Sequence, residues 1–165
     1  MNSIAMAVIV GTLAWISTGA PTSGPVSSRQ KAESELLQLH LGELEAHRNA
    51  NVEALLVNAQ DGFVYVRDGK ISRTNVSDTR ESFRKSFKDT TYFLYEDIEP
   101  PIVRASEDGK LGWVIGRLRG RRSQKDSATG KDNSEDFVYA GIMTYELKGG
   151  KWYRVSNVST FEPTP

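Results

Sequence analysis

The stretch Arg29-Gln-Lys-Ala-Glu-Ser-Glu-Leu-Leu-Gln-Leu-His-Leu-Gly-Glu-Leu-Glu-Ala-His-Arg48 decides how the rest of the chain is read. At 100° per residue, Leu36, Leu37, Leu39, Leu41 and Leu44 fall on one broad arc, opposite Glu35, Gln38, Gly42 and Glu45. That spacing predicts an amphipathic helix over residues 29–48. Three polar side chains interrupt the apolar arc. His40, Glu43 and His47 lie within about 60° of one another, near its middle and not at its edge. Polar groups at the centre of a buried face are expensive unless they pair or meet a wet cavity. The helix is therefore expected to pack along most of one face and to look into a pocket along a single stripe.

Working outward, a second short helix is expected over residues 52–59, with Asn51 as N-cap and Leu55 and Leu56 as its apolar contribution. Residues 62–67 alternate as a strand, and Asp68-Gly69 makes a turn. Residues 78–88 return to helix, capped by Ser77, with Phe83 and Phe87 at i and i+4. From Tyr92 onward the chain reads as strands: 91–99, a break at Pro100-Pro101, then 102–105, 113–121, 137–147 and 152–161. Lys148-Gly149-Gly150 joins the last two as a hairpin. Residues 122–134 are polar throughout and read as a loop. Helices early and antiparallel strands late predict an α+β fold with helices on one face of a curved sheet.

Composition bounds the rest. The chain has 165 residues, 38% of them hydrophobic, which suits one ordinary domain and not a membrane bundle. Twenty-one basic residues balance twenty-one acidic ones, so no global field draws the protein to nucleic acid, and no nucleic-acid partner is expected. The absence of cysteine excludes disulfides, thiol catalysis and cysteine-based zinc sites. Residues 4–16 form an apolar run shorter than the roughly twenty needed to span a bilayer. Ser17 and Gly19 suit the −3 and −1 positions of a cleavage site, although Met1-Asn2-Ser3 carries no basic residue. The expected organisation is a signal peptide or N-terminal anchor over 1–19, a linker over 20–28 and a domain over 29–162. A cleaved leader places the mature protein in the periplasm or outside the cell, with no membrane span left; the cytoplasm is the alternative.

Three segments together carry a resemblance: Ala46-His-Arg-Asn-Ala-Asn-Val-Glu-Ala-Leu-Leu with Asp61-Gly-Phe-Val; Ile98-Glu-Pro-Pro-Ile-Val-Arg-Ala-Ser-Glu-Asp-Gly-Lys-Leu-Gly-Trp-Val-Ile; and Gly150-Lys-Trp-Tyr-Arg-Val-Ser-Asn-Val-Ser-Thr-Phe. They resemble the nuclear transport factor 2-like superfamily, which includes SnoaL-like and ketosteroid-isomerase-like proteins. The resemblance covers nearly all of residues 29–162. It implies a cone-shaped roll, a curved antiparallel sheet wrapped around a long N-terminal helix, with a cavity at the wide end. It often implies a homodimer through the sheet. It implies no activity, because this fold hosts isomerases, lyases and binding modules alike. Ketosteroid isomerases place a catalytic tyrosine on the first helix and a carboxylate base after the first strand. Those positions fall here near Glu43 and between Val66 and Asp68, and neither matches.

Chemistry-bearing candidates are few. His40, Glu43 and His47 are read either as a His–Glu acid/base set, or as a satisfied internal ion pair, or as histidines near the helix end that meet solvent. The two histidines are seven residues apart, about 10 Å along a helix, too far to share one zinc, so no metal site is expected. Arg117, Arg119 and Arg121 share a strand face with Trp113 and Ile115, and Asp132, Glu135 and Asp136 lie across the hairpin. Arg117, deepest in its strand, is the pocket candidate among them. Tyr139 is the aromatic pocket candidate. Glu96, Asp97 and Glu99 alternate faces, with Glu96 on the side of Tyr92, Leu94 and Ile98. No phosphate loop, dinucleotide fingerprint or nucleophile elbow calls for a cofactor. Three readings stand: a cavity that binds a small, partly apolar ligand; a cofactor-independent isomerase, lyase or hydrolase; and a module that binds another protein through its sheet.

Overall fold

A capping box starts the first helix of the computed structural model, which describes residues 27–126 and 128–162. Ser27 Oγ accepts from Gln30 N, and the Gln30 side chain accepts from Ser27 N in return. The leader expected over residues 1–19, its apolar run at 4–16 included, lies outside the described residues. Helix α1 runs Ser28–Arg48 and buries Ala32, Leu36, Leu44 and Ala46. Its apolar face is narrower than the leucine arc predicts: Leu41 is exposed. Helix α2 (Val52–Leu56) is capped by Asn51, whose side chain accepts from Ala54 N.

Strands β1 (Phe63–Arg67) and β2 (Lys70–Thr74) form a hairpin. Its turn, Asp68-Gly69, has positive φ at both residues, the conformation that matches strand twist in tight hairpins. The polarity of β2 hides it from hydropathy; pairing with β1 makes it a strand. Helix α3 is Val76–Lys88 and starts two residues earlier than predicted, because Asn75 and not Ser77 is the cap, accepting from Asp78 N at 2.8 Å. The remaining strands are β3 (Thr90–Asp97), β4 (Ile102–Ala105), β5 (Leu111–Lys125), β6 (Asp132–Lys148) and β7 (Lys151–Phe161).

The strands form one seven-stranded sheet in the order β2-β1-β7-β6-β5-β3, with β4 also on β5. Pro100-Pro101 separates β3 from β4, so the two share one edge of β5 end to end. The expected all-antiparallel sheet is corrected at one place. β1 and β7 pair in parallel, with Val64, Tyr65 and Val66 beside Ser156, Asn157 and Val158. The expected loop over 122–134 is corrected as well. β5 continues to Lys125 and β6 begins at Asp132, and the polar residues pair across the ladder, Arg121 with Asp136 and Arg122 with Glu135. Opposite charges on facing strands stabilise an antiparallel extension that hydropathy cannot see.

One side of the sheet holds α1. There Ala32 and Leu36 pack with Ala105, Val114, Tyr145 and Trp152. The approach is close: a Cβ at Gly112 would collide with a Leu36 methyl. The Trp152 indole N–H donates to Glu35 at 2.8 Å, fixing the same contact from the C-terminal strand. On the other side, six apolar residues stand opposite one another across six strands: Ile102, Ile115, Ile142, Val158, Val66 and Ile71. Four of them are exposed, Ile71 by 72% and Ile102 by 51%.

Candidate functional site

Between α1, α3 and the inner face of the sheet lies a cavity of about 650 Å³. Its sheet wall follows strict alternation: Val114, Gly116 and Leu118 of β5 stand beside Met143, Gly141 and Tyr139 of β6. Two glycines in that row leave room. A Cβ at Gly141 would stand 2.7 Å from the Tyr139 hydroxyl, and one at Gly116 would stand 3.4 Å from His40 Cε1. Five of the chain's six tyrosines line the cavity: Tyr65, Tyr92, Tyr95, Tyr139 and Tyr145.

The helix stripe enters this space. His40, Glu43 and His47 all line the cavity, yet each has a different partner. Glu43 Oε1 lies 3.0 Å from Arg154 Nη2 and accepts from the Tyr145 hydroxyl at 3.2 Å. The Glu43 and Arg154 side chains are 15% and 12% exposed, so this ion pair is largely withdrawn from water. Burial pushes the Tyr145 phenol well above its ordinary value, with the Glu43 charge adding to the shift, so Tyr145 acts as donor.

His40 turns the other way, its Nε2 lying 2.8 Å and 3.1 Å from the two Asp97 carboxylate oxygens. Its partner was not legible from Asp97's position. Strict alternation puts Glu96 on the face of Tyr92, whereas a register shift between Tyr92 and Leu94 leaves Phe93 unpaired. Beyond that bulge Tyr95 and Asp97 face inward with Tyr92, while Glu96 faces out to Arg119 at 2.7 Å.

His47 is held in an aromatic box. Its ring stacks on Tyr95 at 4.6 Å and 11°, with Phe83, Phe87 and Tyr92 meeting it edge-on. Nδ1 lies 3.1 Å from the Glu43 carbonyl oxygen and donates to it. Desolvation lowers the His47 pKa from 6.5, keeping the ring neutral near neutral pH. Burial likewise raises the phenols of Tyr95 and Tyr139.

Tyr139 lines the cavity and is locked to Asn157, donating to Oδ1 at 3.2 Å and accepting from Nδ2 at 3.0 Å. Arg117 is not brought to the site. Strand alternation sends it, with Arg119 and Arg121, to the outer face, where its Nη2 lies 3.6 Å from Glu162. Asp68, the residue nearest the expected base position, is exposed in its turn beside Arg67. Sequence reasoning missed Arg154, Asp97 and Asn157. Asp97 lies on β3 and the other two on β7, strands whose phase of alternation depends on bulges: one sits between Tyr92 and Leu94, another between Thr144 and Tyr145. Among the described residues no three His, Cys, Asp or Glu side chains gather as metal ligands do. No helix among them is long and apolar enough to cross a membrane.

No protein-family model matches the chain, and no curated protein sequence matches it either. Solved structures do. A nuclear transport factor 2-like superfamily protein from Salmonella enterica superposes with a TM-score of 0.64 over 81% of this chain and 93% of its own, at 9% identity. A ketosteroid isomerase-like protein from Erwinia carotovora gives 0.59 over 77% and 93%, at 15% identity. A candidate polyketide cyclase from Xanthomonas campestris gives 0.53 over 81% and 91%, also at 15%. The chain therefore has the nuclear transport factor 2-like cone fold: a helix followed by a curved, unclosed mixed sheet. At these identities the likeness defines the fold and not the chemistry.

Proposed function

We propose that this protein binds a small, partly apolar molecule in the cavity between α1 and the inner sheet face, and that it does so as a homodimer exported from the cytoplasm. The observation that carries the first part is the wall itself. An open-mouthed space of about 650 Å³, lined mainly by aromatic and aliphatic side chains with a few convergent polar groups, has the make-up of a small-molecule site. Acid/base chemistry by a His–Glu pair has less support, because Glu43 is engaged by Arg154 and Tyr145 and neither histidine side chain bonds to its carboxylate.

The rim offers a test that spares the core. Ser82 is exposed on α3 and lines the cavity, so Ser82→Trp should plug the opening without disturbing packing. The wild-type protein should enhance the fluorescence of 1-anilinonaphthalene-8-sulfonate at one site per chain. The variant should lose that site at an unchanged melting temperature. Equal binding by both proteins would sink the cavity reading and point to the outer face. Native mass spectrometry of protein from its own host would then identify the natural ligand.

The homodimer rests on the apolar row across six strands, an exposed patch of the kind that monomers seldom leave uncovered. A second copy of the same face is self-complementary about a two-fold axis. Sedimentation analysis should show a dimer that Ile115→Lys converts to monomer; a monomeric wild-type chain at high concentration removes this part of the proposal. Export rests on the apolar run over 4–16 and is checked by cell fractionation.

A further inference from the structure

The polar groups deep in the cavity are not equally used. Tyr139 and Asn157 satisfy each other, His40 is engaged by Asp97, and Glu43 accepts from the Tyr145 hydroxyl and is ion-paired with Arg154. Arg154 stands apart. A guanidinium carries five N–H donors. Its Nη2 donates to the Leu55 carbonyl at 2.7 Å and meets Glu43 at 3.0 Å. Nε is buried with no acceptor. Nη1 donates to no described residue, and the side chain that it ends lines the cavity. Nε is the buried unpaired donor, whereas Nη1 is not among the buried atoms and stands open to the cavity, where the oxygen of a ligand can reach it. Because Glu43 already has its partners, the site is short of an acceptor and not of a cation.

The walls specify the rest of the molecule. Nine phenyl and phenol side chains line the space, five tyrosines and four phenylalanines, and such rings stack best on flat, unsaturated ligands. We propose that the cavity selects a planar aromatic ligand bearing an acceptor oxygen, either a carbonyl or a carboxylate, and that Arg154 takes this oxygen through Nη1. This inference rests on the cavity-binding reading above.

Four probes that share one ring system test it on the full chain by ligand-observed NMR titration: 2-naphthoate, 2-acetylnaphthalene, naphthalene and 2-naphthylmethylammonium. At least one of the two acceptor-bearing probes should bind tenfold or more tighter than naphthalene, with the ammonium weakest. A gain confined to naphthoate identifies a carboxylate, and a gain confined to 2-acetylnaphthalene identifies a carbonyl. The double variant Glu43→Gln/Arg154→Met, which leaves no buried charge unpaired, should bring both down to the naphthalene level. Equal binding of all four by the wild-type protein overturns the proposal alone, as does tightest binding of the ammonium, which would make Glu43 the anchor. Binding of none overturns the cavity reading with it. The wild-type ranking decides the matter even where the double variant folds poorly.

Discussion

The two faces of strands β5, β6 and β7 each depart in part from the pattern expected of a half-exposed sheet. Such sheets usually set apolar residues inward and polar residues outward. Here the inward face holds Glu43's partners, Arg154 and Tyr145, with Tyr139 and Asn157 beside them. The outward face holds Ile115, Ile142 and Val158 in a direct cross-strand row, and its arginines are each beside an acid. A buried polar group must find its partner within the protein, so the inner face is built from specific pairs around a space. An outward charge has water as an alternative, so its pairing settles little. The contrast predicts that matched changes on the two faces will differ sharply in effect.

The largest effect is expected at Arg154. Arg154→Met leaves the Glu43 carboxylate with only the Tyr145 hydroxyl, inside a space from which the pair is nearly excluded from water. Breaking a buried ion pair by removing one partner costs about 3–5 kcal/mol. Denaturant unfolding should show a loss in that range, and adding Glu43→Gln should recover much of it, because the charge left behind is the main penalty. A loss within error of zero would mean that the pair is hydrated, and the difference between the faces would shrink to one of hydropathy.

Proton linkage at His47 sharpens the comparison at a smaller scale. Desolvation holds the native imidazole below 6.5, opposed by the Glu43 carbonyl and charge and aided by Arg154. Below about pH 6.5 the unfolded chain therefore binds a proton that the native state refuses. Stability falls with falling pH through the window between 6.5 and the depressed native value, by up to about 1.4 kcal/mol per pH unit, and is unaffected above it. Glu33 and Glu53, held low by Arg29 and Arg80, act only below their ordinary value of 4.5 and so add nothing between pH 7.5 and 5.5. Unfolding free energies at pH 7.5 and 5.5 should differ more in the wild-type protein than in His47→Gln. Parallel curves would place the ring in contact with solvent.

Much of the fold was legible in local pattern. The leucine spacing of α1, the Asn51 cap, the Asp68-Gly69 turn and the Pro100-Pro101 break each act over a few residues and survive packing. The helix stripe was legible too: His40, Glu43 and His47 line one space. Their partners were not, because a partner on a distant strand depends on the phase of alternation. One extra residue at Phe93 turns Asp97 inward and Glu96 outward. Arg117 failed for the same reason in reverse: depth in the strand was read where side mattered. The long β5–β6 extension escaped because charge pairing, not hydropathy, holds it together.

That extension supplies the smallest expected effect and the control for the other two. Arg121 and Asp136 form a two-point contact, 2.6 Å and 3.2 Å, with better geometry than the Glu43–Arg154 pair. Geometry alone would rank it higher. Exposure reverses the order: the two side chains are 59% and 68% exposed, so solvation competes with the bond and salt screens it. Arg121→Ala should leave the melting temperature unchanged in moderate salt, while slackening the β5–β6 end enough to speed amide exchange around residues 121–136. If the melting temperature fell as far as it does for Arg154→Met, burial would not be what separates the two faces, and the inner pairs would need another explanation.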